Sequence, residues 1–383
     1  MKNKLNIGIV TSTRADFFLL EKIIFYIKKK SNLKIIVTGS HLSKKHGYSY
    51  EYISKIKNCK KIKIKIKVED TSQKSIVKNS GIIFKSCSKI FNKENFQLLL
   101  ILGDRFEILP FAASALAFNI PIAHIHGGEV THGSIDDQIR HSLSKLSNFH
   151  FTSHRDYKKR LIQMGEIKEN IFNFGSPGVE NVLNTEFITK KDLEKNFNFS
   201  FGKKNVLVNF HPETSVKNDM LKEFKVILDT CKNFKNIKFI FTYPNFDNNS
   251  NLIINLLNKY NKSQKNFLVV KNFGQRAFFS MIKNVDFVMG NSSSGIIEAP
   301  VLKKPTINLG IRQSGRVKAP SIFDCKIKKK SIIKMINLLL NEKLTKKIKY
   351  KNYLKLNTSK NISNKLLKLN LTKVFPKKFI NKV

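Results

Sequence analysis

The strongest constraint on the fold is a rhythm of short apolar runs alternating with longer amphipathic ones, which restarts near mid-chain. Residues 5–10 (LNIGIV) read as a buried strand, followed by a loop and a helix from about Phe17 to Lys30. A strand at 33–37 (LKIIV) comes next, then KIKIKIKV at 61–68, whose period of two suits a half-exposed strand. A helix near 73–91, a strand at 97–102 (QLLLIL), a helix at 107–118, a strand at 121–125 (PIAHI) and a helix from about Ile135 to Leu146 continue the series. FNFGSPG at 172–178 closes it. Strands separated by helices imply parallel sheets with right-handed crossovers.

The series then begins again. Residues 184–204 are polar and Lys-rich and read as a linker. NVLVNF (205–210), IKFIFTY (237–243), NFLVV (266–270), VDFVMG (285–290) and KPTINLG (304–310) read as five further strands, and the chain after about 327 reads as Lys-rich and mostly helical. The expected class is α/β, with two Rossmann-like doubly wound domains, 1–180 and 181–355, and a helical tail, 356–383. A length of 383 residues suffices for this, and with 31 Phe and no Trp, Phe is expected to fill much of the core. Ligands of open α/β sheets bind beyond the carboxyl ends of the strands, so two facing halves would place the active site in the interdomain cleft.

The charge is lopsided, with 70 Lys and Arg against 27 Asp and Glu, or +43. Alone this points to nucleic acid or an anionic membrane. Only eight of the basic residues are Arg: Arg14, Arg105, Arg140, Arg155, Arg160, Arg276, Arg312 and Arg316. The lysines run along the whole chain among many Asn and Ile, which fits compositional drift, so no specific nucleic acid and no membrane partner is expected. Most of the arginines, whose planar fork suits phosphate and carboxylate, fall in or beside the motifs below. Cys59, Cys87, Cys231 and Cys325 are far apart without a C-x-x-C pair, which fits a reduced compartment and neither a disulfide framework nor a zinc site. The apolar run of the N-terminus is too short for a signal peptide, and the apolar stretch from Leu109 to Ile125 is broken by Asn119 and Pro121. A cytoplasmic protein is expected.

Nearly every polar cluster follows an expected strand. Thr11-Ser12-Thr13-Arg14-Ala15-Asp16 opens a helix with hydroxyls and a cation, either an anion site or a plain cap. Gly103-Asp104-Arg105 places a carboxylate for acid/base work, unless it caps the next helix or pairs with Arg105. His124-Ile125-His126-Gly127-Gly128-Glu129 and Ile135-Asp136-Asp137-Gln138-Ile139-Arg140-His141 concentrate groups that could move protons on two faces of one substrate. A metal is the rival reading there, but H-x-H-x-x-E has no zinc spacing. Asp136 also reads as the cap of its helix. His211, in Asn209-Phe210-His211-Pro212-Glu213-Thr214, faces the expected cleft or is simply fixed by Pro212. Gly290-Asn291-Ser292-Ser293-Ser294-Gly295 opens a helix with hydroxyls and free amides, a phosphate cradle with Glu298 one turn in to meet ribose hydroxyls. It is neither a P-loop nor a dinucleotide fingerprint. Arg312 and Arg316 follow closely.

Together these segments resemble the hydrolysing UDP-N-acetylglucosamine 2-epimerases of sialic and legionaminic acid biosynthesis. TSTRAD, TGSHLSKKHG, LGDRFE, IPIAHIHGGEVTHGSIDDQIRHSLSKLSNFHF, FGSPG, FHPET, GNSSSGIIEAP and INLGIRQSGR occur in family order over about residues 7–320. The resemblance implies a glycosyltransferase-B-like fold, a C-terminal tail packing back on the first domain, and a homodimer or homotetramer. It implies that a UDP-sugar loses UDP from C1 and a proton from C2 to give a glycal. Water then adds with protonation of C2 from the other face, releasing N-acetylmannosamine and UDP without metal or nicotinamide. Asp104 and Asp136 match acid/base positions, Asp137 assists or supports, and either His126 or Glu129 takes a further proton-transfer role. His211 matches a partner of the leaving diphosphate, and Arg14, Ser292, Ser293, Glu298 and Arg312 match nucleotide-binding positions. Ser294 sits where the side chain varies. The same reaction on UDP-2,4-diacetamido-2,4,6-trideoxyglucose or a GDP-linked sugar, and a non-hydrolysing 2-epimerase, remain alternatives. A polyanion-binding protein on a retired scaffold would not need carboxylates at Asp104, Glu129 and Asp136.

Overall fold

The computed structural model describes residues 4–44, 47–68, 72–132, 135–211, 220–244, 250–341, 348–350, 355–372 and 374–381. The chain divides into two compact units, one of Met1–Glu129, Asp136–Glu180 and Lys355–Val383, the other of Val130–Ile135 and Asn181–Leu354.

In the first unit β1 (Asn6–Thr11), β2 (Asn32–Val37), β3 (Lys60–Lys63), β4 (Leu98–Leu102), β5 (Ile122–Ile125), β6 (Phe149–Thr152) and β7 (Ile171–Asn173) form one sheet in the order β3-β2-β1-β4-β5-β6-β7. Every adjoining pair is parallel. The helices are α1 (Arg14–Ile27), α2 (Tyr50–Ser54), α3 (Gln73–Glu94), α4 (Leu109–Ala117), α5 (Asp136–Leu146) and α6 (Arg155–Gln163), with α7 (Pro177–Leu183) at the unit boundary. All five residues of β4, LLLIL, are buried, as in a parallel strand covered on both faces. Their alternation sorts the core: Leu98, Leu100 and Leu102 join Ile7, Ile9, Phe17 and Leu20, while Leu99 and Ile101 join Val10, Ile36 and Phe111 on the other face. The ladder of β3 covers only part of KIKIKIKV, yet Ile62, Ile64 and Ile66 all still pack toward the core.

The second unit repeats the plan. It holds α8 (Lys190–Phe197), β8 (Lys204–Asn209), α9 (Met220–Cys231), β9 (Ile237–Thr242), α10 (Ser250–Ser263), β10 (Phe267–Val270), α11 (Gly274–Asn284), β11 (Phe287–Gly290), α12 (Ser293–Val301), β12 (Thr306–Leu309), β13 (Ile322–Cys325) and α13 (Lys329–Leu340). Its sheet runs β10-β9-β8-β11-β12-β13, again parallel throughout. Both sheets therefore reverse direction beside their first strand, the switch point where doubly wound folds bind ligands. The last helix, α14 (Thr358–Leu366), buries Ile362 and Leu366 in the core of the first unit.

The stretch 184–204 is not a linker. Thr189 caps α8 by accepting from the Asp192 N–H, and Leu193 is buried in a core that Phe187, Phe197, Phe199 and Phe201 also enter. Isolated apolar residues spaced among lysines are enough to seat a helix whose other face is solvated. β6, α6 and β13 are further elements that the apolar rhythm did not mark. No helix among the described residues is long and apolar enough to cross a membrane.

Candidate active site

In the first unit the chemistry-bearing residues follow the carboxyl ends of β1, β4 and β5. Asp104 comes two residues after β4 and forms an ion pair with Nη2 of Arg140, not with Arg105. Arg105 turns instead to Glu107, at 3.1 Å. The Arg140 side chain, from α5, is only 2% exposed, and its Nη1 lies 3.7 Å from Asp137 Oδ1. One buried guanidinium thus ties carboxylates from two elements. The Arg140 carbonyl accepts from Ser144 Oγ at 2.9 Å, Ser144 Oγ lies 3.3 Å from His124 Nδ1, and His124 Nε2 donates to the Gly103 carbonyl at 2.7 Å. Burial pushes His124 down to about 3, so it is a neutral strut between β4, β5 and α5. Asp136 is the first helical residue of α5 rather than its cap, and both it and Asp137 sit in the first turn, where the helix dipole favours negative charge.

His126 follows β5 with a φ of 67°, a left-handed conformation uncommon outside glycine. Its Nδ1 is 2.6 Å from Glu129 Oε1, and the same carboxylate oxygen accepts from Ser153 Oγ at 2.7 Å. Gly128, with φ of 75°, permits the turn between them, since a Cβ there would collide with the Tyr157 carbonyl.

At the helix start after β1 the structure shows the cap, one of the two readings of this segment. Thr13 caps α1, and Asp16 fills the capping box, accepting from Ser12 Oγ at 2.9 Å and from the Thr13 N–H at 3.0 Å. The local donors are engaged by this carboxylate, and Arg14 is the cation left there, at the first helical position.

The second unit assembles its polar set around Asn291, which is fully buried after β11. Asn291 Oδ1 accepts from the His211 N–H at 2.7 Å and Nδ2 donates to the His211 carbonyl at 2.8 Å. The Asn291 carbonyl accepts from Arg312 Nη1 at 3.0 Å and from Gln313 Nε2 at 2.9 Å. Gly290, with φ of 140°, lets β11 and β8 approach, because a Cβ there would collide with the Asn209 carbonyl. Burial, then Arg312, pushes His211 down to about 3, so it is neutral and offers a hydrogen bond rather than a charge. Ser292 caps α12, Ser293 begins it, and Glu298 lies between them and the helix end. Ser294 Oγ donates to Ser292 Oγ at 3.0 Å, a structural use. Pro212, Glu213 and Thr214, together with Gly133 and Ser134, lie outside the described residues.

Each unit therefore gathers its polar residues at its own switch point: a titratable set in one, and a helix N-terminus with Arg312 in the other. The sequence profile of the UDP-N-acetylglucosamine 2-epimerase family matches residues 26–367. The chain belongs to that family. It is 41% identical over 330 residues, 85% of each chain, to the GDP/UDP-N,N'-diacetylbacillosamine 2-epimerase (hydrolyzing) of Campylobacter jejuni. It is 36% identical over 338 residues, 87% of this chain and 86% of the relative, to the polysialic acid biosynthesis protein P7 of Escherichia coli. Among solved structures, a UDP-GlcNAc 2-epimerase from Neisseria meningitidis bound to UDP-GlcNAc shares its fold, with a TM-score of 0.79 at 19% identity, covering 95% of this chain and 100% of that one. Arg140, Asn291, Gln313 and Ser153 are the residues that sequence reasoning gave no role. The first three stand inside conspicuous motifs; Ser153 carries no local signal.

Proposed function

We propose that this protein is a hydrolysing sugar-nucleotide 2-epimerase that converts a UDP-linked 2-acetamido sugar and water into UDP and the free 2-epimeric sugar. The observation that carries the reading is the Asp104–Arg140–Asp137 cluster beside the His126–Glu129 pair, at adjoining strand ends in a member of this family. Elimination needs a base at C2 and cations at the departing diphosphate, and rehydration needs an acid and a group to orient water. Asp104 and Asp136 are assigned the acid/base work and Asp137 its support, with His126 and Glu129 the further proton-transfer pair. The N-terminus of α12 with Ser292 and Ser293, the charge of Arg312, and a hydrogen bond from neutral His211 hold the diphosphate. Glu298 takes the ribose hydroxyls.

For the sugar, the relative at 41% identity and a Legionella pneumophila relative at 31%, both named for diacetylbacillosamine, favour UDP-2,4-diacetamido-2,4,6-trideoxyglucose. UDP-N-acetylglucosamine is the second reading, favoured by a Neisseria meningitidis relative at 29% named for it. A cytoplasmic location and a homodimer or homotetramer belong to the same proposal. Incubating the full chain with each UDP-sugar and with GDP-N-acetylglucosamine, and following nucleotide release by chromatography, tests it. Release from the diacetamido sugar at a kcat/KM well above the others is expected, and release from none of them refutes the reading.

A further inference from the structure

Two burdens meet at one residue. His126 holds a left-handed backbone, a strained conformation for a residue with a side chain. Its Nε2 is buried with no hydrogen-bond partner among the described residues, a second cost. The other ring nitrogen is tightly engaged: Nδ1 sits 2.6 Å from Glu129 Oε1, and Ser153 Oγ fixes that oxygen at 2.7 Å. An ionised carboxylate only accepts, so the ring proton resides on Nδ1 and Nε2 presents its lone pair.

The other buried histidines of the unit behave differently. His41 engages both nitrogens, with Thr11 Oγ1 at 2.9 Å and Ser49 Oγ at 2.8 Å, and His124 likewise faces Gly103 and Ser144. His150 also leaves one nitrogen bare, but it lies within strand β6, fully buried, with its Glu166 partner shared by Lys145 and Lys377. His41 and His126 both follow the carboxyl ends of strands, β2 and β5, but of these two only His126 leaves a ring nitrogen without a partner among the described residues.

We propose that His126 and Glu129 act as a dyad, in which His126 Nε2 removes the C2 proton of the substrate and Glu129, held by Ser153, is the positioning residue. This rests on the reaction proposed above. The C2–H electron pair becomes the C1=C2 bond of the glycal, the C1–O pair leaves with the diphosphate, and the proton moves to Nε2. Glu129 fixes the tautomer beforehand and stabilises the imidazolium afterwards. Reprotonation of C2 from the opposite face falls to the carboxylate set.

His126→Gly is the decisive variant, because glycine adopts the left-handed conformation without strain and the space of the lost ring can admit imidazole. The expected kcat falls at least about a hundredfold with KM within about threefold, and added imidazole restores part of it. Glu129→Gln should lower kcat by about tenfold to a hundredfold without imidazole rescue. In proton NMR of the full chain, it should also abolish a low-field His126 Nδ1–H resonance. A folded His126→Gly variant that keeps its kcat, or that imidazole does not rescue, overturns the base assignment. An unchanged His126 resonance in Glu129→Gln overturns the positioning role. The resonance needs no turnover, and wild-type turnover tests the reaction itself, so the two failures are separable.

Discussion

Asn291→Ala tests the architecture of the nucleotide side most sharply. The Asn291 side chain makes two hydrogen bonds, both to the main chain of His211, at 2.7 and 2.8 Å, and the residue is fully buried. Alanine would remove one hydrogen bond each from a buried N–H and a buried carbonyl, at about 1–3 kcal/mol each, or about 2–6 kcal/mol together. For a unit of this size each kcal/mol lowers the melting temperature by about 2–4 °C, so the fall should be at least about 4 °C. The bonds from Arg312 and Gln313 end on the Asn291 carbonyl, which alanine retains, so those side chains keep their anchor. Differential scanning calorimetry with and without UDP should show a lowered transition for the second unit and weaker stabilisation by UDP. A variant melting within about 1 °C of the wild type would refute the role of Asn291 as the clamp of the His211 loop.

Asp104→Asn should lower turnover by about a hundredfold to ten-thousandfold while UDP affinity, read by calorimetry, persists; equal loss of affinity would sink its acid/base assignment. Ser293→Ala combined with Arg312→Ala should weaken UDP binding at least about tenfold, and unchanged affinity would remove the α12 cradle from the account. Burial lowers His41 to about 4 and His124 and His211 to about 3, so between those values and about 6.5 only the unfolded chain takes up the protons. Stability from these groups is full above about pH 6.5 and is lost as pH falls, by up to about 1.4 kcal/mol per pH unit for each group. The urea midpoint at pH 5 should therefore lie below that at pH 7, and an equal or higher midpoint would contradict the neutral burial of the three rings.

The parallel strands were legible because burial on both faces demands unbroken apolar runs such as LLLIL. Where burial is partial the signal fades: β13, IFDC, lies at a sheet edge with only Cys325 buried, and it went unread. The segment 184–204 misled for a related reason, since its few aromatic residues reach the core from among solvated lysines. Asp104, His126 and His211 stood out because each follows a strand. Arg140 and Asn291 work through contacts that join elements distant in sequence, to Asp104 and to His211, and no local spacing encodes those. The α1 start shows the converse, in which Ser12 and Thr13 have the right chemistry for an anion but Asp16 already occupies it.

Epimerisation at C2 and hydrolysis at C1 each leave a mark on the products. Proton NMR of the full chain turning over UDP-2,4-diacetamido-2,4,6-trideoxyglucose, and UDP-N-acetylglucosamine in parallel, in D₂O reads both events at once. Free UDP together with the free 2-epimeric sugar carrying deuterium at C2 is the expected result. A UDP-linked epimer formed without release of UDP, or a released sugar that keeps its original C2 proton, would contradict it.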